Sequence, residues 1–171
     1  MNINNEIKTI TSHYCGDLAE VELVLIPYYD FNGVLSQEQI WAEMIAPDKY
    51  LIKSIPVYAT NIAFGDLLQV ERLSDGLLYF DDLLKTSENS TIRIVFFNFV
   101  EENVNRILNG IQELGCEWVG FEGGSYYSIN VDKNIQYSKI KSYLDQNSQI
   151  IDYAESCISD KHIKDLTPPI S

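Results

Sequence analysis

The chain has 171 residues, of which 46% are hydrophobic and 22% charged, the balance of an ordinary globular domain rather than a disordered chain. Lys and Arg number 12 against 25 Asp and Glu, a net charge of −13 with neutral His. That charge excludes a general nucleic-acid binder, which needs a basic footprint on phosphate, and argues against docking on anionic membrane.

Residues 1–19 are polar and carry no hydrophobic period, so they read as a tail. They hold no basic segment followed by an apolar one, and no stretch of the chain approaches the roughly 18 apolar residues of a membrane span. Three widely spaced cysteines (Cys15, Cys116, Cys157) suit reduced thiols in a cytoplasm.

From residue 20 to 88 the pattern is short strands and turns. Val21–Ile26 is strand-like and is followed by Pro27; Asn32-Gly33 marks a turn. Gln39–Ile45 follows as a strand, Pro47-Asp48 turns it, and Tyr50–Lys53 returns. Asp66–Arg72 and Leu77–Phe80 flank Ser74-Asp75-Gly76, a strong hairpin signal. Strands at this spacing predict a small barrel or rolled sheet.

Residues 89–158 follow a different pattern. Thr91–Phe99 is dense in β-branched and aromatic residues. Val104, Ile107, Leu108, Ile111 and Leu114 recur at helical spacing, with Glu101 and Glu102 in the first turn and Gly115 as the C-terminal cap. Cys116–Phe121 and Tyr126–Val131 read as strands around Gly123-Gly124, Ile135–Gln146 as a helix, and Ile150–Ala154 as a closing strand. The order β-α-β-β-α-β predicts a ferredoxin-like half, making the whole an α+β protein. Residues 159–171, with Pro168-Pro169, read as a second tail.

The sequence carries no legible catalytic signature. His13 lies near Cys15, but His162 is at the far end, and neither metal-ligand spacing nor a phosphate-binding glycine loop is present. Both histidines fall in the expected tails and read as surface residues; Cys116 and Cys157 read as small buried hydrophobes. Asp81-Asp82 and Glu101-Glu102 are paired acids, but strand neighbours face opposite sides, so Asp81 and Asp82 are not expected to share a site. Phe96, Phe97, Tyr126 and Tyr127 echo the base-stacking rings of RNA-recognition sheets, yet the basic flanks are missing and packing is the better reading. No cofactor, no metal and no enzymatic activity is expected.

Glu38-x-Ile40-Trp41-Ala42-Glu43, Ile55-Pro56, Phe64-Gly65-Asp66-Leu67-Leu68, Asn89-Ser90-Thr91-Ile92-Arg93 and Leu114-Gly115-Cys116 resemble landmarks of a family of small bacterial proteins known only as a domain of unknown function. The resemblance spans roughly residues 20–155. It implies a cytoplasmic bacterial protein and supplies no catalytic residues.

Acidity concentrates in the first half, where residues 1–88 hold 5 basic and 14 acidic residues, net −9. Together with 11 tyrosines, this predicts an immunity protein that blocks a basic toxin domain, such as a nuclease, by steric and electrostatic occlusion. The expected contact residues are Asp75, Tyr79, Asp81 and Asp82. A small-molecule-binding or regulatory module is the alternative.

Overall fold

The computed structural model describes residues 20–120 and 123–167. Five strands, β1 (Val21–Tyr29), β2 (Leu35–Ala46), β3 (Lys49–Ile52), β4 (Leu67–Arg72) and β5 (Leu78–Lys85), form a closed barrel in sequence order. Neighbours pair antiparallel, and a parallel seam between β1 and β5 closes the ring through Val24 with Leu78 and Leu25 with Tyr79.

Strand alternation fills the barrel. Val24 and Ile26, Ile40 and Ala42, Tyr50 and Ile52, Leu68 and Val70 each point inward two residues apart. Fully burying an aliphatic side chain contributes about 1.5–3 kcal/mol, so a one-residue slip in any strand would forfeit several kcal/mol. Both glycine turns lie at positive φ, with Gly33 at 74° and Gly76 at 82°, a conformation L-residues adopt at a cost.

A second sheet is built from β6 (Ser90–Phe96), β7 (Glu117–Gly120), β8 (Tyr126–Val131) and β9 (Ile151–Cys157), in the order β7-β8-β6-β9, with every neighbouring pair antiparallel. Helices α1 (Glu101–Glu113) and α2 (Tyr137–Gln146) connect these strands. Ile92, Ile94, Phe96, Tyr127, Ile129 and Val131 form one hydrophobic cluster with Val104, Ile107, Leu108 and Ile111 of α1 and Ile140 and Leu144 of α2. Gly115, at φ 88°, ends α1 by donating to the Gln112 carbonyl, while Cys116 N–H returns to Ile111. The protein is therefore α+β, a closed five-stranded barrel joined to a four-stranded sheet with helices.

Two expectations need correction. The segment taken as a C-terminal tail folds over Asp160–Leu166 into helix α3, with Ser159 as its N-cap, accepting from the His162 amide at 3.2 Å. His162, read as a surface residue, is wholly buried. The cause is a polar anchor on β6, which a tail read in isolation does not reveal. His13 and Cys15 lie outside the described residues.

Candidate functional site

The long connection between β3 and β4, residues 53–66, runs across the sheet face opposite the helices. Side chains from both halves hold it. The Glu38 carboxylate accepts from three successive amides, Val57 at 2.7 Å, Tyr58 at 2.9 Å and Ala59 at 2.6 Å. From the sheet, Ser128 donates to the Pro56 carbonyl, Arg93 to Ala59 and Thr91 to Ile62. Asn89 donates to Phe64, and its side-chain oxygen accepts from the Lys133 amide.

Asp66 closes the loop, accepting from Ala63 at 2.8 Å and Ser87 at 2.7 Å. Burial raises its carboxyl above the ordinary range, against the lowering effect of those two amides. Gly65, at φ 83°, precedes it, and a side chain there would crowd the Ser87 Cβ at 3.2 Å. Glu38, Pro56, Phe64, Asp66, Asn89, Thr91 and Arg93, which carried the family resemblance, thus converge on one loop and its clamps.

On the outer rim of this loop, Tyr58 is sandwiched between Tyr28 of β1 and Tyr126 of β8. Ring centroids are 5.3 and 6.0 Å apart, with planes within 16° and 11° of parallel. The Tyr126 hydroxyl donates to the Val57 carbonyl at 2.8 Å. Burial raises the phenols of Tyr58 and Tyr126, keeping both neutral at physiological pH. This ladder ties the β1–β2 hairpin to the second sheet. The hairpin overruns the barrel seam, leaving Tyr29, Phe31, Val34 and Leu35 exposed at its end.

The contact residues expected from sequence lie on the β4–β5 hairpin. Asp75 accepts from the Leu77 amide at 2.9 Å and from the Tyr79 hydroxyl at 2.8 Å. These bonds hold the Asp75 carboxyl below its usual range, the Leu77 amide contributing most, and Asp75 raises the Tyr79 phenol in turn. Asp81 and Asp82 do not obey the expected alternation. Gln69 faces Asp82 while its neighbour Val70 faces Phe80, so β5 carries an extra residue at this bulge, and both carboxylates are exposed. Asp75 and Tyr79 are brought together; Asp82 instead accepts from the Leu83 amide beside it.

Phe96 and Tyr127 pack edge to face at 5.8 Å within the helical core, so only Tyr126 of the pair 126–127 reaches the opposite face. Burial pushes the Cys116 thiol up to about 12 and the Cys157 thiol to about 11, which suppresses thiolate reactivity. Sequence reasoning did not anticipate the Ser90–His162 contact, although Ser159-Asp160 is a readable helix start. Nor did it anticipate Tyr28 and Tyr58, which no local pattern links.

At the far end of the barrel an open depression of about 420 Å³ is lined by Met44, Ile45, Pro47, Tyr50, Arg72 and Leu78. Tyr50 donates to Glu22 at 2.6 Å, and Arg72 pairs with the same carboxylate at 2.7 Å, holding the Glu22 carboxyl low, with the Tyr50 bond the larger cause. Among the described residues, no helix is long and apolar enough to cross a membrane, and no group of three His, Cys, Asp or Glu could hold a metal ion.

A crystal structure of a hypothetical protein from Neisseria gonorrhoeae is similar to this chain, with a TM-score of 0.71 and 29% identity over 82% of this chain and 96% of that one. No curated protein matches. A family model spans residues 38–152, from the Glu38 clamp into β9, and the chain belongs to that family, the domain of unknown function DUF4265.

Proposed function

We propose that this protein is an immunity-type binding protein that docks a basic protein toxin domain in the cytoplasm and occludes its working surface without turnover. One observation carries the reading. The barrel seam pairs β1 with β5 at only two positions, and the strand emerging from it presents Asp81 and Asp82 to solvent. Tyr79 lies at the start of the same strand, and Asp75 in the turn that leads into it. On a molecule of net charge −13, such an edge steers a cationic partner and raises its association rate. The Tyr79 ring adds rigid contact area beside the charges.

The test is titration against the C-terminal domain of a secreted protein encoded beside this gene. A tight complex that silences the domain's nuclease activity is expected. Its association rate should fall about tenfold in the triple variant Asp75→Asn, Asp81→Asn, Asp82→Asn, and fall with added salt. No complex, or a complex indifferent to both changes, overturns the proposal.

A second reading, a small-molecule-binding module, is favoured by the depression at the barrel end, where Arg72 and Tyr50 converge on Glu22. It predicts a melting-temperature rise with a metabolite, abolished by Arg72→Ala. We also read the four-stranded half as ferredoxin-like; the β-α-β-β-α-β connectivity and the strand order β7-β8-β6-β9 support this.

A further inference from the structure

We infer that the protruding end of the β1–β2 hairpin is a self-association surface, and that its occupant is the same hairpin of a second copy of this chain.

The hairpin continues beyond the barrel. On the β1 side, pairing with β5 stops at Leu25; on the β2 side, pairing with β3 begins only at Ala42. Between those limits β1 and β2 pair only with each other, ending at Tyr29 opposite Leu35. Tyr28, opposite Ser36, turns toward the junction and stacks on Tyr58. Strand alternation therefore puts the opposed pair Tyr29 and Leu35 on the other face, where they are 74% and 60% exposed. Phe31, 98% exposed, and Val34 extend the apolar surface around the turn. The ladder and the backbone bonds from Asp30 and Gly33 hold this end in a defined shape, so little ordering cost remains to be met on binding.

Charge selects the occupant. A molecule of net charge −13 repels its own copies over most of its surface. Residues 27–37 contain one charged side chain, Asp30, and its carboxylate is engaged by the amides of Asn32 and Val34, each at 2.8 Å. Here two acidic molecules can meet with the amide-bound Asp30 as the one carboxylate that each copy brings to the contact. A basic partner gains nothing from this uncharged end that the acidic β5 edge does not supply better. A two-fold axis through the opposed Tyr29 and Leu35 pairs makes the contact self-complementary, and the closed symmetry stops growth at two copies. The face is small, four residue pairs long from Ile26 opposite Glu38 to Tyr29 opposite Leu35, or roughly 13 Å, so it lies at the low end of interface sizes. The dimer is accordingly weak and concentration-dependent.

Analytical ultracentrifugation of the full chain from 10 to 500 μM, in 50 and 500 mM NaCl, tests this. A monomer–dimer equilibrium that tightens with salt is expected, because screening removes the like-charge repulsion. The variants Phe31→Ser and Leu35→Ser should each weaken it at least thirtyfold, while Leu84→Ser on β5 leaves it unchanged. Circular dichroism verifies that each variant keeps its fold; Phe31, being almost fully exposed, has no core contacts to lose. A monomer throughout both salt series overturns the inference, as does a dimer that Phe31→Ser and Leu35→Ser leave intact. The salt response separates this surface from the proposed partner site, since binding to a basic protein weakens as salt rises.

Discussion

The Ser90 hydroxyl lies 2.7 Å from the His162 Nδ1, although 72 positions separate the two residues. The same hydroxyl accepts from the Ser159 amide at 2.9 Å and lies 3.5 Å from the Ser159 hydroxyl. The His162 ring stacks on Tyr137 at a centroid distance of 5.0 Å. Both Ser90 and His162 are wholly buried, so this nucleophile-and-base spacing fastens α3 to β6 rather than meeting a substrate.

That burial makes stability depend on pH. Desolvation, then the nearby Lys161 charge, lowers the His162 pKa below its ordinary 6.5. As pH falls through 6.5, the unfolded chain takes up a proton that the folded chain refuses. The neutral-histidine contribution is therefore complete above that pH and is lost on acidification toward the lower folded value. Urea midpoints from pH 7.5 to 5.5 should decline for the native sequence and decline less steeply for His162→Gln. Parallel slopes would show that the ring does not titrate in this window.

Glu38 is expected to dominate the stability of the loop across residues 53–66. Truncation by Glu38→Ala leaves the amides of Val57, Tyr58 and Ala59 without their acceptor, at a cost of about 3 kcal/mol. For a chain of this size that is roughly 6–12 °C of melting temperature. Glu38→Gln keeps one acceptor oxygen and should fall between the two. Melting curves of all three proteins decide it; an unshifted Glu38→Ala would mean that water replaces the carboxylate freely.

Gly120 has a steric reason for its identity. A Cβ built there would collide with the Tyr127 ring, which is wedged edge-on against Phe96 and Trp118. Gly120→Ala should destabilise the protein by about 1–3 kcal/mol through overpacking. In a Tyr127→Ala background the same substitution should cost little. A double-mutant cycle measured by chemical denaturation reads the difference, and equal penalties in both backgrounds would refute the clash.

Elements held by local pattern are legible in the sequence itself. The 3.6-residue recurrence of Val104, Ile107, Leu108 and Ile111 marks α1, and it is these residues that are buried. The Asp75-Gly76 turn and the alternation of Leu68 and Val70 mark the β4–β5 hairpin in the same way. Segment boundaries moved where the pattern was weaker. The strand expected at Gln39–Ile45 begins four residues earlier, because β1 supplies backbone partners out to Leu35.

Composition and periodicity by themselves determined the acidic charge, the α+β class and the inward-facing residues of most strands, because each depends only on neighbours within a turn or a strand. Tertiary structure alone decided that the first sheet closes, that a bulge exposes both Asp81 and Asp82, and that the last helix is anchored by Ser90. It also placed Tyr28, Tyr58 and Tyr126 in one stack and gathered the clamps of residues 53–66 from both halves. Those outcomes are set by hydrogen bonds and ring contacts between residues tens of positions apart, whose geometry does not exist until the chain has closed on itself.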